Sequence, residues 1–177
     1  MYMDCEEAKK FFKGSAMEET CDLLNDFNLF HCLFKPSSEQ TAKVKERLSF
    51  APDDYLKWSH VCAGGDLQVC ELLGEDGLDK DTGLKFSTFE EYEKEGKDAG
   101  LSEEYYIFAV SNFGDYFCFK KTTDGTKDNG VYQWGLHEGE IVLIWDNFTD
   151  WFDEQVKSWV DMIADDELDA IPAKLMD

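Results

Sequence analysis

Two unbroken apolar runs, Tyr105-Tyr106-Ile107-Phe108-Ala109-Val110 and Tyr116-Phe117-Cys118-Phe119, are separated by only Ser111-Asn112-Phe113-Gly114-Asp115. Runs this short and this rich in aromatic and β-branched residues suit strands. Because polar residues do not alternate through them, both faces have to be covered. The pair predicts a hairpin of buried strands. Residues 131–134 and 141–145 supply two more strands around a turn at 135–139, and Asp124-Gly125 and Asn129-Gly130 mark the turn before them. The expected result is an antiparallel meander from 105 to 145 at the centre of one sheet of about four to six strands.

The rest of the chain reads as helices set before, between and after those strands. Residues 6–12 and 18–27 carry apolar side chains at three and four spacings without strong caps. Lys35-Pro36-Ser37-Ser38 is a break, with Ser37 or Ser38 as N-cap of a polar helix over 39–48. Pro52 is expected at the first helical position of the next helix. Asp53 and Asp54 then sit at the positive pole of its dipole, Tyr55, Leu56, Ser59 and Cys62 share one face, and Gly64-Gly65 stops it. Residues 66–73 read as one strand. Thr88-Phe89-Glu90-Glu91 is a capping box opening a helix over 88–97. Asn147 caps the last helix with Asp150 three residues on, and Phe148, Trp151, Phe152, Val156, Trp159, Val160 and Ile163 form its apolar stripe. Strands segregated from helices argue for an α+β fold rather than a parallel βαβ sheet. The expected organisation is a helical extension over 1–38, an α+β domain over 39–164 and an acidic tail over 165–177.

Charge and motifs bound the chemistry. In 177 residues, 17 Lys and Arg stand against 39 Asp and Glu, a net charge of −22, and Arg47 is the single arginine. Such a chain repels phosphate backbones and anionic lipid, which excludes direct nucleic-acid and membrane-surface binding and makes a cationic partner the natural complement. No apolar run approaches the roughly 18 residues of a spanning helix. The start, Met1-Tyr2-Met3-Asp4-Cys5-Glu6-Glu7, has neither the basic nor the apolar region of a secretory or transit signal, so a cytoplasmic location is expected. The six cysteines, Cys5, Cys21, Cys32, Cys62, Cys70 and Cys118, are scattered through apolar stretches and read as reduced core thiols. His31-Cys32 and His60-Val61-Cys62 lack the spacing of a zinc site. Asp79, Asp81 and Glu90 mimic positions 1, 3 and 12 of a calcium loop, but Leu84 stands where that loop needs its glycine, with Gly83 one place early. Cys62 and Cys118 have no basic neighbours or helix N-terminus to make either a nucleophile, and no phosphate loop, dinucleotide fingerprint or hydrolase elbow is present. The chain is therefore expected to be no enzyme, with no cofactor and no metal.

A family resemblance sharpens this. The stretch Glu46-Arg47-Leu48-Ser49-Phe50-Ala51-Pro52-Asp53-Asp54-Tyr55-Leu56-Lys57-Trp58, with Ala63-Gly64-Gly65 after it, resembles the L-P-x-D-Y-x-x-[FW] helix and N-G-G turn of the SUKH superfamily. That group includes yeast cell-wall assembly regulators and many bacterial immunity proteins. The two strands around Ser111-Asn112-Phe113-Gly114-Asp115 are similar to its aromatic hairpin, Val131-Tyr132-Gln133-Trp134 with His137-Glu138 to its V-x-x-W-x-H strand end, and Asn147-Phe148-Thr149-Asp150-Trp151-Phe152 to the start of its C-terminal helix. The resemblance covers 39–164 and leaves the first 38 residues outside. Ala63 departs from the family's Asn, and 74–104 is longer and more polar than the family pattern. The resemblance implies a SUKH-like sheet with flanking helices and non-enzymatic binding. For bacterial members it most often implies neutralisation of a cognate toxin, frequently a nuclease or deaminase; the alternative is a regulatory scaffold like the yeast relatives.

The expected contact residues lie at element ends, where side chains can leave the core: Asp115 after a glycine turn, His137 and Glu138 after a strand, Asp146 and Asp150 at the start of the last helix. Together they are expected to form one acidic rim around Trp134 as aromatic anchor, facing a basic toxin. Reversal of Asp146 and Asp150 to Lys is expected to slow association and leave stability nearly unchanged.

Overall fold

A computed structural model describes residues 2–76, 87–135 and 139–165, with side chains as far as Ile163. Four of the helices start where a side-chain oxygen satisfies an otherwise unpaired amide. The Asp4 carboxylate accepts from the Glu7 amide at 2.9 Å to open α1 (Cys5–Phe12), a cap the sequence pattern did not single out. After α2 (Met17–Asp26) and a 3-10 turn (Leu29–Cys32), Ser37 and Gln40 form a full capping box on α3 (Ser38–Arg47). Thr88 and Glu91 form the expected box on α5 (Phe89–Asp98). Asn147 opens α6 (Phe148–Asp165): its side-chain oxygen accepts from the Asp150 amide at 2.8 Å while its amide donates to the Asp150 carboxylate at 2.7 Å.

Two local expectations are corrected. Pro52 is the N-cap of α4 (Asp53–Trp58), which lasts six residues. The chain then tightens into turns, so Ser59 and Cys62 are buried beyond the helix, and α4 itself buries Tyr55 and Trp58. The stretch 66–73 is two short strands, β1 (Gly65–Asp66) and β2 (Cys70–Leu72), because Gln68 turns the chain with φ +62° while its amide donates to the Asp66 carboxylate at 2.7 Å.

With β3 (Tyr105–Ser111), β4 (Asp115–Lys120), β5 (Val131–Gly135) and β6 (Ile141–Trp145), these make one six-stranded sheet in the order β1-β2-β3-β4-β5-β6, antiparallel throughout. The meander from 105 to 145 thus runs from the middle of the sheet to one edge, since β1 and β2 extend it on the β3 side alone. Phe108 and Phe119 stack at 3.9 Å, and Tyr55 of α4 lies 4.7 Å from Phe119, while Trp151 of α6 lies 4.8 Å from Phe108 and 5.1 Å from Phe117. On the other face Tyr92 of α5 meets Tyr116 at 5.9 Å, and Gly96 gives Ile107 room to pack against the helix. The N-terminal helices join the same core: Phe12 stacks on Trp58 at 5.7 Å, and Thr20 donates to Asp153 of α6 at 3.0 Å.

The glycine pair after α4 is a point of close approach. A Cβ on Gly65, whose φ is +152°, would lie 2.2 Å from the Cys32 carbonyl oxygen, where the residues after the 3-10 turn bridge to the β1 edge of the sheet. Gly65→Ala is expected to cost roughly 1 to 3 kcal/mol in denaturant unfolding, because the clash is with backbone. Trp151 is fully buried and its indole N–H meets no acceptor. Trp151→Ala should therefore lose about 3 to 5 kcal/mol, whereas Trp151→Phe, which keeps a ring and removes the unpaired donor, should lose under about 1.5 kcal/mol.

Candidate protein-binding face

The structure separates the residues expected to share one rim. Asp115 starts β4 opposite Gly135, and its carboxylate accepts from the Gln133 side-chain amide at 2.8 Å. Asp146 follows Trp145, which pairs with Val131 at the other end of the same β5–β6 hairpin. Five residues of strand, roughly 17 Å, lie between the two ends. Asp146 and Asp150 are exposed, but the Asp150 carboxylate is engaged by Asn147 in the α6 cap. Charge reversal at 150 would therefore disturb a cap, and only Asp146 is free of that complication. Trp134 is 3% exposed and packs on Tyr116 at 5.2 Å, so it is a core residue and no surface anchor. His137 and Glu138 lie outside the described residues, as do Asp79, Asp81, Gly83 and Leu84 of the calcium-loop mimic; Glu90 sits in the first turn of α5.

Exposed apolar side chains occur elsewhere. Phe113, 87% exposed, stands at the tip of the β3–β4 turn. On β6, Val142, Leu143 and Ile144 are 49%, 49% and 45% exposed. The signal was present in the sequence, since Ile141-Val142-Leu143-Ile144-Trp145 is an uninterrupted apolar run in the last strand of a meander, and among the described residues it has a strand neighbour on one side only.

Arg47 and seven lysines are paired within the fold. Arg47 Nε donates to Glu75 at 2.7 Å, and its Nη1 lies 3.3 Å from both Glu93 and the Tyr106 hydroxyl. Burial works against the guanidinium's charge, but Tyr106 and Glu75 outweigh it and hold its pKa above the ordinary value. Lys9, Lys43, Lys97 and Lys157 pair with Asp22, Glu39, Glu93 and Asp153 at 2.5 to 3.1 Å, Lys35 and Lys127 pair with Glu7 and Asp53, and Lys120 lies 3.9 Å from Glu104.

The thiols are the opposite of activated. Burial pushes Cys62 and Cys21 up to about 12 and Cys32 up to about 11, and raises Cys70 and Cys118 further still. Among the described residues no group of three His, Cys, Asp or Glu is placed to hold a metal ion, and no helix is long and apolar enough to cross a membrane.

Residues 35–154 match the model of the SMI1 / KNR4 family (SUKH-1). The chain belongs to that family. The match takes in α3, α4, the whole six-stranded sheet and the first turns of α6, so every residue discussed above as a contact candidate lies inside the SUKH-1 domain. No curated protein matches the chain.

Two outcomes check this account of the thiols. In the folded SUKH-1 protein at neutral pH, Cys21, Cys62, Cys70 and Cys118 should resist alkylation, and all six cysteines should react in denaturant, as mass spectrometry would read. Each buried thiol binds its proton more tightly folded than unfolded, so its contribution to stability is complete below pH about 9 and is lost as pH rises toward about 12. Melting temperature should accordingly decline above pH about 9.

Proposed function

We propose that this SUKH-1 domain is a cytoplasmic immunity protein that binds and neutralises a cognate cationic toxin of nuclease or deaminase type, without catalysis, cofactor or metal of its own. One observation carries the reading: a net charge of −22 in which the single arginine and seven lysines are already paired with carboxylates of the same chain. The 39 carboxylates outnumber the 17 cationic groups by 22, and that excess complements an active site that must hold phosphates and is therefore basic. Residues 39–164 form the binding domain in this reading, and the N-terminal helices support it from within the shared core. Asp146 faces the partner. Asp150 adds its charge from the α6 cap, three residues after Asn147; Asp115, His137 and Glu138 stay in this reading as contacts proposed on sequence grounds, and Trp134 packs on Tyr116 in the core.

Electrostatic steering gives this reading a kinetic signature. With a cognate toxin domain as partner, stopped-flow association should slow about tenfold between low salt and 0.15 M, where the screening length is about 8 Å. Asp146→Lys should slow it further without changing melting temperature, and stoichiometric addition of the protein should abolish toxin activity. An association rate indifferent to salt, or a toxin that stays active in the complex, overturns the reading.

A further inference from the structure

The two edges of the sheet are treated differently. At the β1 edge the chain closes itself off: Gly65 bridges to Leu33, the Phe34 amide donates to the Gly64 carbonyl at 3.0 Å, and the Ala63 amide donates to the Phe34 carbonyl at 2.6 Å. At the other edge β6 pairs with β5 on one side, and among the described residues no strand lies on its second side. Edge strands are commonly guarded by a lysine, a proline, a β-bulge, extreme shortness or an inward charge. Ile141-Val142-Leu143-Ile144-Trp145 carries a bulge at Ile144, where the register against β5 shifts, but it has no lysine, proline or inward charge, is the length of an ordinary strand, and leaves its three central side chains about half exposed.

The ends of this strand are acidic. Glu140 and Asp146 flank it, both exposed, and the Glu154 carboxylate reaches the Trp145 indole N–H at 2.6 Å. That placement selects an occupant. If a second copy of this chain paired antiparallel about Leu143, Glu140 of each would stand opposite Asp146 of the other. In a parallel pair the same carboxylates would oppose themselves, and like charges directly opposite are destabilising. We propose that β6 is a docking edge for an extended segment of a cationic protein partner, which adds a seventh strand, sets apolar side chains against Val142, Leu143 and Ile144, and places Lys or Arg beside Glu140 and Asp146. This rests on the proposed function for the identity of the partner and deepens it by assigning the mode of contact.

The test uses a peptide, so that it does not depend on any particular toxin. A blocked peptide alternating Lys and Val over eleven residues should bind the full-length protein with a dissociation constant below about 1 mM. It should slow amide exchange across 141–145, and it should lose at least about tenfold in affinity against Val142→Lys/Ile144→Lys. Asp98→Asn/Glu103→Gln, which makes the same change in net charge away from β6, should bind within about threefold of wild type. The same peptide with Glu for Lys should not bind.

Failure of the Lys–Val peptide to protect 141–145, or equal affinity for wild type and Val142→Lys/Ile144→Lys, overturns the proposal while leaving toxin neutralisation standing. Equal binding of the Glu peptide overturns the cationic occupant. A wild-type dimer that Val142→Lys/Ile144→Lys abolishes assigns the edge to a second copy and overturns it as well. Protection of 141–145 by the peptide, together with a toxin that is never neutralised, keeps the docking edge and discards the immunity reading.

Discussion

The Phe108–Phe119 stack, with ring centroids 3.9 Å apart and planes 5° from parallel, is the contact around which the other elements are arranged. It joins adjacent central strands on the face that receives α4 and α6, and these two helices, distant in sequence, converge on it. Tyr55 arrives from α4, Phe148 and Trp151 from α6, and Trp58 connects α4 to Phe152 at 4.4 Å and to Phe12 of α1 at 5.7 Å. Each large aromatic side chain buried here contributes about 1.5 to 3 kcal/mol by leaving water, and ring pairing adds about 0.5 to 1.5 kcal/mol. Those gains require the whole cluster to assemble at once, because α4 has only six residues and cannot hold its shape outside the packed protein.

Polar links hold the aromatic layer in register. The Asp54 carboxylate accepts from both the Thr149 amide and the Thr149 hydroxyl at 2.9 Å, so the first turn of α4 completes the N-terminus of α6. Arg47 joins α3 to Glu75 after β2, Glu93 on α5 and Tyr106 on β3, with Glu75 only 7% exposed. Such a partly buried charge depends on all of its partners, so its value lies in fixing one arrangement of four elements rather than in net stability. The chain has no second arginine to place elsewhere, and this one is spent inside.

The meander order of β3 to β6, its antiparallel pairing and the caps at Ser37, Thr88 and Asn147 were legible because each rests on a local signal, an apolar run, a turn dipeptide or a side-chain oxygen three residues before its partner, whereas the meander's place was not: it reaches an edge of the sheet rather than lying at its centre. The Gln68 turn was not, since nothing in Leu67-Gln68-Val69 marks a left-handed position, and the bend becomes affordable only when Asp66 accepts the Gln68 amide and Asn112 donates to the Gln68 carbonyl. The contact rim was read from element ends alone. Whether two ends meet depends on strand direction, and β5 and β6 run in opposite senses, which carries Asp115 and Asp146 to opposite ends of the hairpin. Trp134 illustrates the same limit, because a tryptophan near the end of a strand has one sequence signature whether it packs on Tyr116 or faces solvent.

The asymmetry of the sheet edges gives the net charge a role beyond solubility. An apolar edge strand left unguarded is a site for association with any extended chain, itself included. With one bulge at Ile144 inside the strand and the charges confined to its flanks, Ile141-Val142-Leu143-Ile144-Trp145 stays able to pair while the outcome depends on the partner's sign. Like-charged copies are repelled at Glu140 and Asp146, and at 0.15 M salt that repulsion reaches only about 8 Å, so it acts at the contact itself rather than across solution. A lysine within the strand would have suppressed self-pairing equally well, but it would have opposed a cationic partner at the same place. The acidic flank is the arrangement that discriminates between the two.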